Sequence, residues 1–150
     1  MNGATTLYEN WPIDAKSDIS RNHIMFGEIG AWLFKGPGGI KPDETKPGFK
    51  NVILQPNFVN DLGFFEATHI GPFGKIISSW KKSRERIEYD VTIPANSTGT
   101  LILRLPSKTN LFENGSIVPG HSALPANPGS TGFTETSYLV KAGTHHFEIK

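Results

Sequence analysis

From about residue 50 onward, apolar and polar residues alternate with a period of two. In RIEYDVTIP, Ile87, Tyr89, Val91 and Ile93 fall on one face and Glu88, Asp90 and Thr92 on the other. KIISSWK sets Ile76, Ser78 and Trp80 against Lys75, Ile77 and Ser79. Successive side chains of a strand point to opposite faces, so this pattern predicts strands with one face in a core. NVILQP, TGTLILRLP, TSYLVK and THHFEIK read as further short strands. Turn chemistry separates them, at Pro56-Asn57, Gly71-Pro72, Pro94-Ala95-Asn96, Asn114-Gly115 and Ala142-Gly143. About seven or eight strands at roughly ten-residue spacing predict a mainly β chain folded as an antiparallel β-sandwich. KKSRER, Lys81 to Arg86, falls where a solvated hairpin turn belongs, and SIVPGHSALPANPGSTG predicts a long loop.

The front of the chain has a different period. Ser20 or Asn22 is placed to cap a helix, and Ile24, Met25, Phe26, Ile29, Trp32, Leu33 and Phe34 follow. Gly36, Pro37, Gly38 and Gly39 end it. These apolar residues cover much more than one stripe, so the helix wants neighbours on several sides.

Composition narrows the classes. A chain of 150 residues suits one domain, and at that size roughly 70% of the unfolded surface can be buried without help from metals or disulfides. A formal net charge of +1 gives no electrostatic ground for expecting nucleic acid or an anionic membrane as partner. With no cysteine, disulfide frameworks, thiolate catalysis and cysteine-based zinc sites are excluded. No stretch approaches the ~18 apolar residues of a membrane span, and no basic region leads into an apolar signal at the N-terminus. Periplasmic, extracellular and cytoplasmic locations all stay open.

Candidates for chemistry are few. Glu9 stands between Tyr8 and Trp11. A carboxylate among aromatics can serve as a general base, and the plainer reading is a surface or capping acid. His23 reads either as a ligand contact or as a histidine in the first turn of the helix. His145 and His146 are adjacent and point to opposite faces of a strand, and His69 and His121 have no acid or histidine at ligand spacing. No metal site and no cofactor are therefore expected. Asn96-Ser97-Thr98 and Asn114-Gly115-Ser116 match the glycosylation sequon, at turns where asparagine is common anyway. Trp80, Phe73 and Tyr89 suit either a sugar-stacking platform or a core, and their alternation fits a core better.

The front end also carries a resemblance. GATTLYENW, then SRNH, then GEIGAWLF, resembles the end of the catalytic (α/α)6 barrel of bacterial α-L-rhamnosidases, glycoside hydrolase family 78. GGIKPDETKPGFK is similar to the family's exit into its C-terminal β-sandwich, and GPFGKIISSW, VTIPANSTGTLILRLP, FENG and KAGTHHFEIK continue the likeness in order. The resemblance implies a barrel remnant over residues 1–40 and a sandwich over residues 41–150. It implies an enzyme that removes terminal α-L-rhamnose from glycosides with inversion, using two carboxylates about 6.5–9.5 Å apart. By the G-A-T-T-x-W-E motif Glu9 corresponds to the general base, and by S-x-N-H His23 corresponds to a sugar contact. Tyr8 departs from the motif, which has tryptophan there, and this bears on the pocket wall.

The family's catalytic acid and its other sugar-holding residues belong to earlier barrel helices. The resemblance thus implies that rhamnosylated glycosides are substrates of a longer protein, that the rest of the barrel is this chain's partner, and that the 150 residues alone are inactive. Missing its general acid costs such a site on the order of 10²–10⁴ in rate. The bared helix is expected to fold back, to self-associate or to stay disordered. Two other readings of the sandwich compete: a carbohydrate-binding module with an exposed aromatic platform, and a purely structural support with Trp80 and Tyr89 buried.

Overall fold

The computed structural model describes Thr6, Tyr8, Ser20 and residues 22–106, 109–118, 122–123 and 132–150. The chain divides into two compact units, Met1–Leu33 and Phe34–Lys150.

In the first unit a 3-10 turn, Ile24–Gly27, leads into the helix α1, Glu28–Lys35, which runs to the unit boundary and just past it. The residue in the capping position is His23, with φ −88° and ψ 89°, rather than Ser20 or Asn22. The Asn22 amide instead donates to Ser20 Oγ at 3.4 Å, a local turn that competes with capping. No residue of α1 is buried. Ile24 is 81% exposed, Ile29 69% and Trp32 58%. Among the described residues no helix is long and apolar enough to cross a membrane.

The second unit is a two-sheet sandwich. Its strands are β1 Ile40–Pro42, β2 Asn51–Leu54, β3 Phe64–Gly71, β4 Gly74–Lys82, β5 Ile87–Ile93, β6 Thr98–Pro106, β7 Leu111–Glu113, β8 Ser116–Ile117, β9 Ser122–Ala123, β10 Phe133–Val140 and β11 Gly143–Ile149. One sheet has the order β1-β2-β6-β10-β9 and the other β3-β4-β5-β11-β7-β8. Among the described residues every strand pairing is antiparallel except β2 with β6, which run parallel from Asn51↔Thr98 to Leu54↔Leu101. A parallel pair needs a crossover connection, and here the crossover is the meander β3-β4-β5 in the opposite sheet.

The expected alternation holds in the strongest strands. Ile76, Ser78 and Trp80 on β4 and Tyr89, Val91 and Ile93 on β5 are all buried, facing Leu101, Leu103 and Leu105 of β6 across the core. Packing between the sheets is close at Gly99, where a Cβ would meet Ile93 Cδ1 at 2.9 Å. Among the described residues, the buried polar side chains Asn51, Ser78, Ser97 and Thr136 each have a hydrogen-bond partner. The basic stretch behaves as a hairpin, with Lys81 and Lys82 ending β4 and the Ser83 amide bonded to the Arg86 carbonyl at 2.9 Å.

Two features differ from the pattern reading. Within SIVPGHSALPANPGSTG, Ser116–Ile117 pairs with β7 and Ser122–Ala123 with β10, so that stretch is not loop throughout; most of its remainder lies outside the described residues. The strand β3 alternates in burial but not in hydrophobicity, because the apolar Phe64 and Ile70 point outward at 73% and 78% exposure while Phe65 and Ala67 point inward.

The segment Gly36–Ile40 is buried, and it is held by its carbonyls. Gly36 accepts from the Asn57 amide at 3.0 Å and Gly39 from the Gln55 amide at 2.8 Å. Pro37 accepts from Trp80 Nε1 at 2.8 Å, and Gly38 from Ser78 Oγ at 2.6 Å. Ser78 thereby uses its one proton, so the Tyr89 phenol, 2.9 Å away, donates to it. Gly39 sits at φ +68°, and a Cβ there would lie 2.2 Å from the Pro56 nitrogen. The glycine-proline stretch that ends the helix is therefore also a strap locked into the sandwich.

Candidate functional site

Two groups of residues are candidates for chemistry, one in each unit. In the first unit, Thr6 is exposed and Tyr8 half-buried, and His23 is half-buried at the entry to the 3-10 turn. Its own backbone, at φ −88° and ψ 89°, is non-helical and sets His23 off from the helical residues that follow. Glu9 and Trp11 lie outside the described residues, so the catalytic assignment for Glu9 has no geometry attached to it.

In the second unit, the aromatic residues form a core. Trp80 is 1% exposed and Tyr89 0%, with Phe58 edge-on to both rings at 5.7 and 5.9 Å. Phe73 is 39% exposed, and Lys50 Nζ sits 5.0 Å from its ring centroid. Sugar stacking needs bare aromatic faces on one surface, and two of the three candidates are enclosed. His69 lies between Phe49, at 4.5 Å, and the edge-on ring of Phe34, at 6.5 Å. His121 lies outside the described residues.

His145 and His146 do part to opposite faces, as adjacent strand residues must. On the outer face His146 Nδ1 is 2.7 Å from Asp90 Oδ1. On the inner face His145 Nδ1 is 2.6 Å from Glu113 Oε1, and its Nε2 is 2.9 Å from the Lys141 carbonyl. Glu113 Oε2 accepts from the Tyr138 hydroxyl at 2.5 Å. Desolvation pulls the Glu113 carboxyl up, but the bonds from Tyr138 and His145 outweigh it and leave the group below its ordinary value. The same bond to Glu113, with burial second, raises the Tyr138 phenol. Sequence reading placed His145 correctly and passed over Glu113 and Tyr138. The available signal was the register: Glu113 follows Leu111 by two, directly before the Asn114-Gly115 turn, and so shares the inward face.

Among the described residues no three histidine or acidic side chains converge as metal ligands would. Asn114 and Gly115, at φ 48° and 78°, form the kind of tight turn that asparagine-glycine favours, and Asn96, at φ 63°, also stands in a turn. Both sequon asparagines thus have a backbone reason to be where they are. Thr98 of the first sequon donates its hydroxyl to Asn51 Oδ1 at 2.8 Å.

A helix, a locked strap and a two-sheet sandwich, in that order, define a β-sandwich module that continues a helical region. Residues 39–117 match the family model for the bacterial alpha-L-rhamnosidase C-terminal domain. Residues 1–36 match that for the bacterial alpha-L-rhamnosidase 6 hairpin glycosidase domain. The alpha-L-rhamnosidase of Formosa agariphila is 31% identical over 156 aligned positions, covering 99% of this chain and 16% of that protein. The alpha-L-rhamnosidase of Alteromonas sp. strain LOR is 33% identical over 108 residues, covering 67% of this chain and 12% of that one. The solved alpha-L-rhamnosidase of Dictyoglumus thermophilum superposes with a TM-score of 0.78 at 27% identity, over 99% of this chain and 16% of its own. This chain belongs to the bacterial α-L-rhamnosidase family. It corresponds to the C-terminal part of these relatives and spans about one-eighth to one-sixth of their length.

Proposed function

We propose that this chain acts as the C-terminal part of a longer glycoside hydrolase that removes terminal α-L-rhamnose with inversion. In this reading residues 1–40 complete the catalytic barrel and residues 41–150 support it. The observation that carries the reading is the likeness to an alpha-L-rhamnosidase along 99% of the chain, front end included.

Glu9 acts as general base. Its carboxylate takes a proton from water as that water attacks the anomeric carbon, while an acid from the preceding barrel protonates the departing oxygen. His23 hydrogen-bonds the sugar. The 150-residue chain holds only the base side of this pair and hydrolyses nothing at a useful rate. The sandwich supports rather than binds, and the burial of Trp80 and Tyr89 favours that role.

The test compares the 150-residue chain with a polypeptide extended N-terminally to the length of its relatives, on an aryl α-L-rhamnoside. The extended protein should hydrolyse it and release the β anomer first, and the shorter chain should be inert. In the extended protein, His23→Ala should raise KM more than it lowers kcat. An inactive, folded extended protein, or an α anomer released first, would overturn the proposal.

A further inference from the structure

The inner-face cluster of Glu113, Tyr138 and His145 has no part in the proposed sugar site, and it spans the sandwich. Glu113 on β7 and His145 on β11 belong to the six-stranded sheet, and Tyr138 on β10 belongs to the other. Side-chain exposure is 17% for His145 and 21% for Glu113, so water competes weakly for these bonds.

Both ring nitrogens of His145 face oxygens, at 2.6 Å for Glu113 Oε1 and 2.9 Å for the Lys141 carbonyl. A carbonyl oxygen only accepts. An ionised carboxylate also only accepts, and the second oxygen of Glu113 is already taken by the Tyr138 hydroxyl. A neutral imidazole has one N–H and one lone-pair nitrogen, so it satisfies one of the two oxygens and opposes the other. The doubly protonated ring satisfies both.

We propose that Glu113, Tyr138 and His145 form a proton-dependent latch between the two sheets, closed while His145 carries both ring protons. Its release loosens the β7–β8 edge. That edge is short: β7 pairs with β11 at three positions, β8 is two residues long, and Ser116 and Ile117 are exposed, with Leu111 and Val118 as its buried anchors. Among the described residues, the groups facing the ring are Glu113 from β7, Tyr138 through Glu113 from β10, and the Lys141 carbonyl from the β10–β11 turn. On β5 the residue opposite His145 is Val91, which does not titrate, and the Asp90–His146 pair lies on the outer face. This inference does not rest on the glycosidase reading.

The test is a pH titration of the 150-residue chain with ¹⁵N-labelled histidine, read alongside amide hydrogen exchange. With the latch closed, both His145 ring nitrogens should show the shifts of protonated nitrogen. As pH rises, protection of the Asn114 and Val118 amides, which bond to the His146 and Leu111 carbonyls, should fall about tenfold or more once one charged hydrogen bond is lost. That fall should share its midpoint with the loss of the His145 ring proton, while Val91 in the central strand stays protected. In His145→Gln, which has nothing to titrate, the step should vanish. Edge protection that stays flat through the His145 titration, or a step that persists in His145→Gln, would overturn the latch. Should the variant fail to fold, the wild-type titration alone decides.

Discussion

The two units use similar apolar residues in opposite ways. In the sandwich, Trp80, Tyr89 and Phe147 are enclosed, and the buried polar atoms around them are paired. In the front unit Ile24 and Met25 of the 3-10 turn stand exposed, as do Ile29 and Trp32 on α1, which has no buried residue. Large exposed apolar surface is costly on a free monomer, whereas a closed core explains itself. The sandwich thus has a closed core of its own, with Phe64, Ile70 and Leu139 left exposed on its surface. The helix has the composition of an element made for a larger core.

Substitutions sharpen that contrast. Trp80→Ala should have the largest effect, destabilising the chain by about 3–5 kcal/mol because it opens a cavity and leaves the Pro37 carbonyl without its donor. Chemical denaturation of the 150-residue chain measures it. Gly39→Ala comes next, at about 1–3 kcal/mol or more, since the left-handed backbone and the contact with Pro56 both oppose a methyl group. Thermal unfolding reads that change.

Glu113 supplies a pH arm of stability. Its folded-state pKa lies below its ordinary value of 4.5. The contribution is therefore present above that value and is lost as pH falls through the lower folded value. Stability measured from neutral to acid pH should show this loss in the wild type, and the arm should be smaller in Glu113→Gln. The smallest effect belongs to the front unit. Ile29→Ala should change the stability of the 150-residue chain by no more than about 0.5 kcal/mol, because the side chain is exposed. The same substitution in the extended protein should cost more, if the barrel covers that helix. An equal, small effect in both would break the contrast between the two units.

How far the fold was legible follows from these physical differences. β5 could be placed residue by residue, since Tyr89, Val91 and Ile93 alternate with polar neighbours and one face is wet. β3 was missed because Phe64 and Ile70 are apolar on its outward face, which erases the period. The short strands β8 and β9 carry too few residues to show any period at all. The strap was read as a helix stop, which it is. Its four hydrogen bonds came from Gln55, Asn57, Ser78 and Trp80, far along the chain, and no local pattern announces such partners. Glu9 and His23, the proposed sugar-site residues, were singled out only through the likeness to a family, because a lone glutamate and a lone histidine have no periodicity to betray them.

The central claim is that Glu9 is the base of a rhamnose-cleaving site completed by the preceding barrel. Its most direct test is kcat for Glu9→Gln in the extended protein on an aryl α-L-rhamnoside, with folding checked by circular dichroism. The account predicts a fall on the order of 10²–10⁴ with the fold retained. A folded variant that keeps kcat near that of the wild type would contradict it.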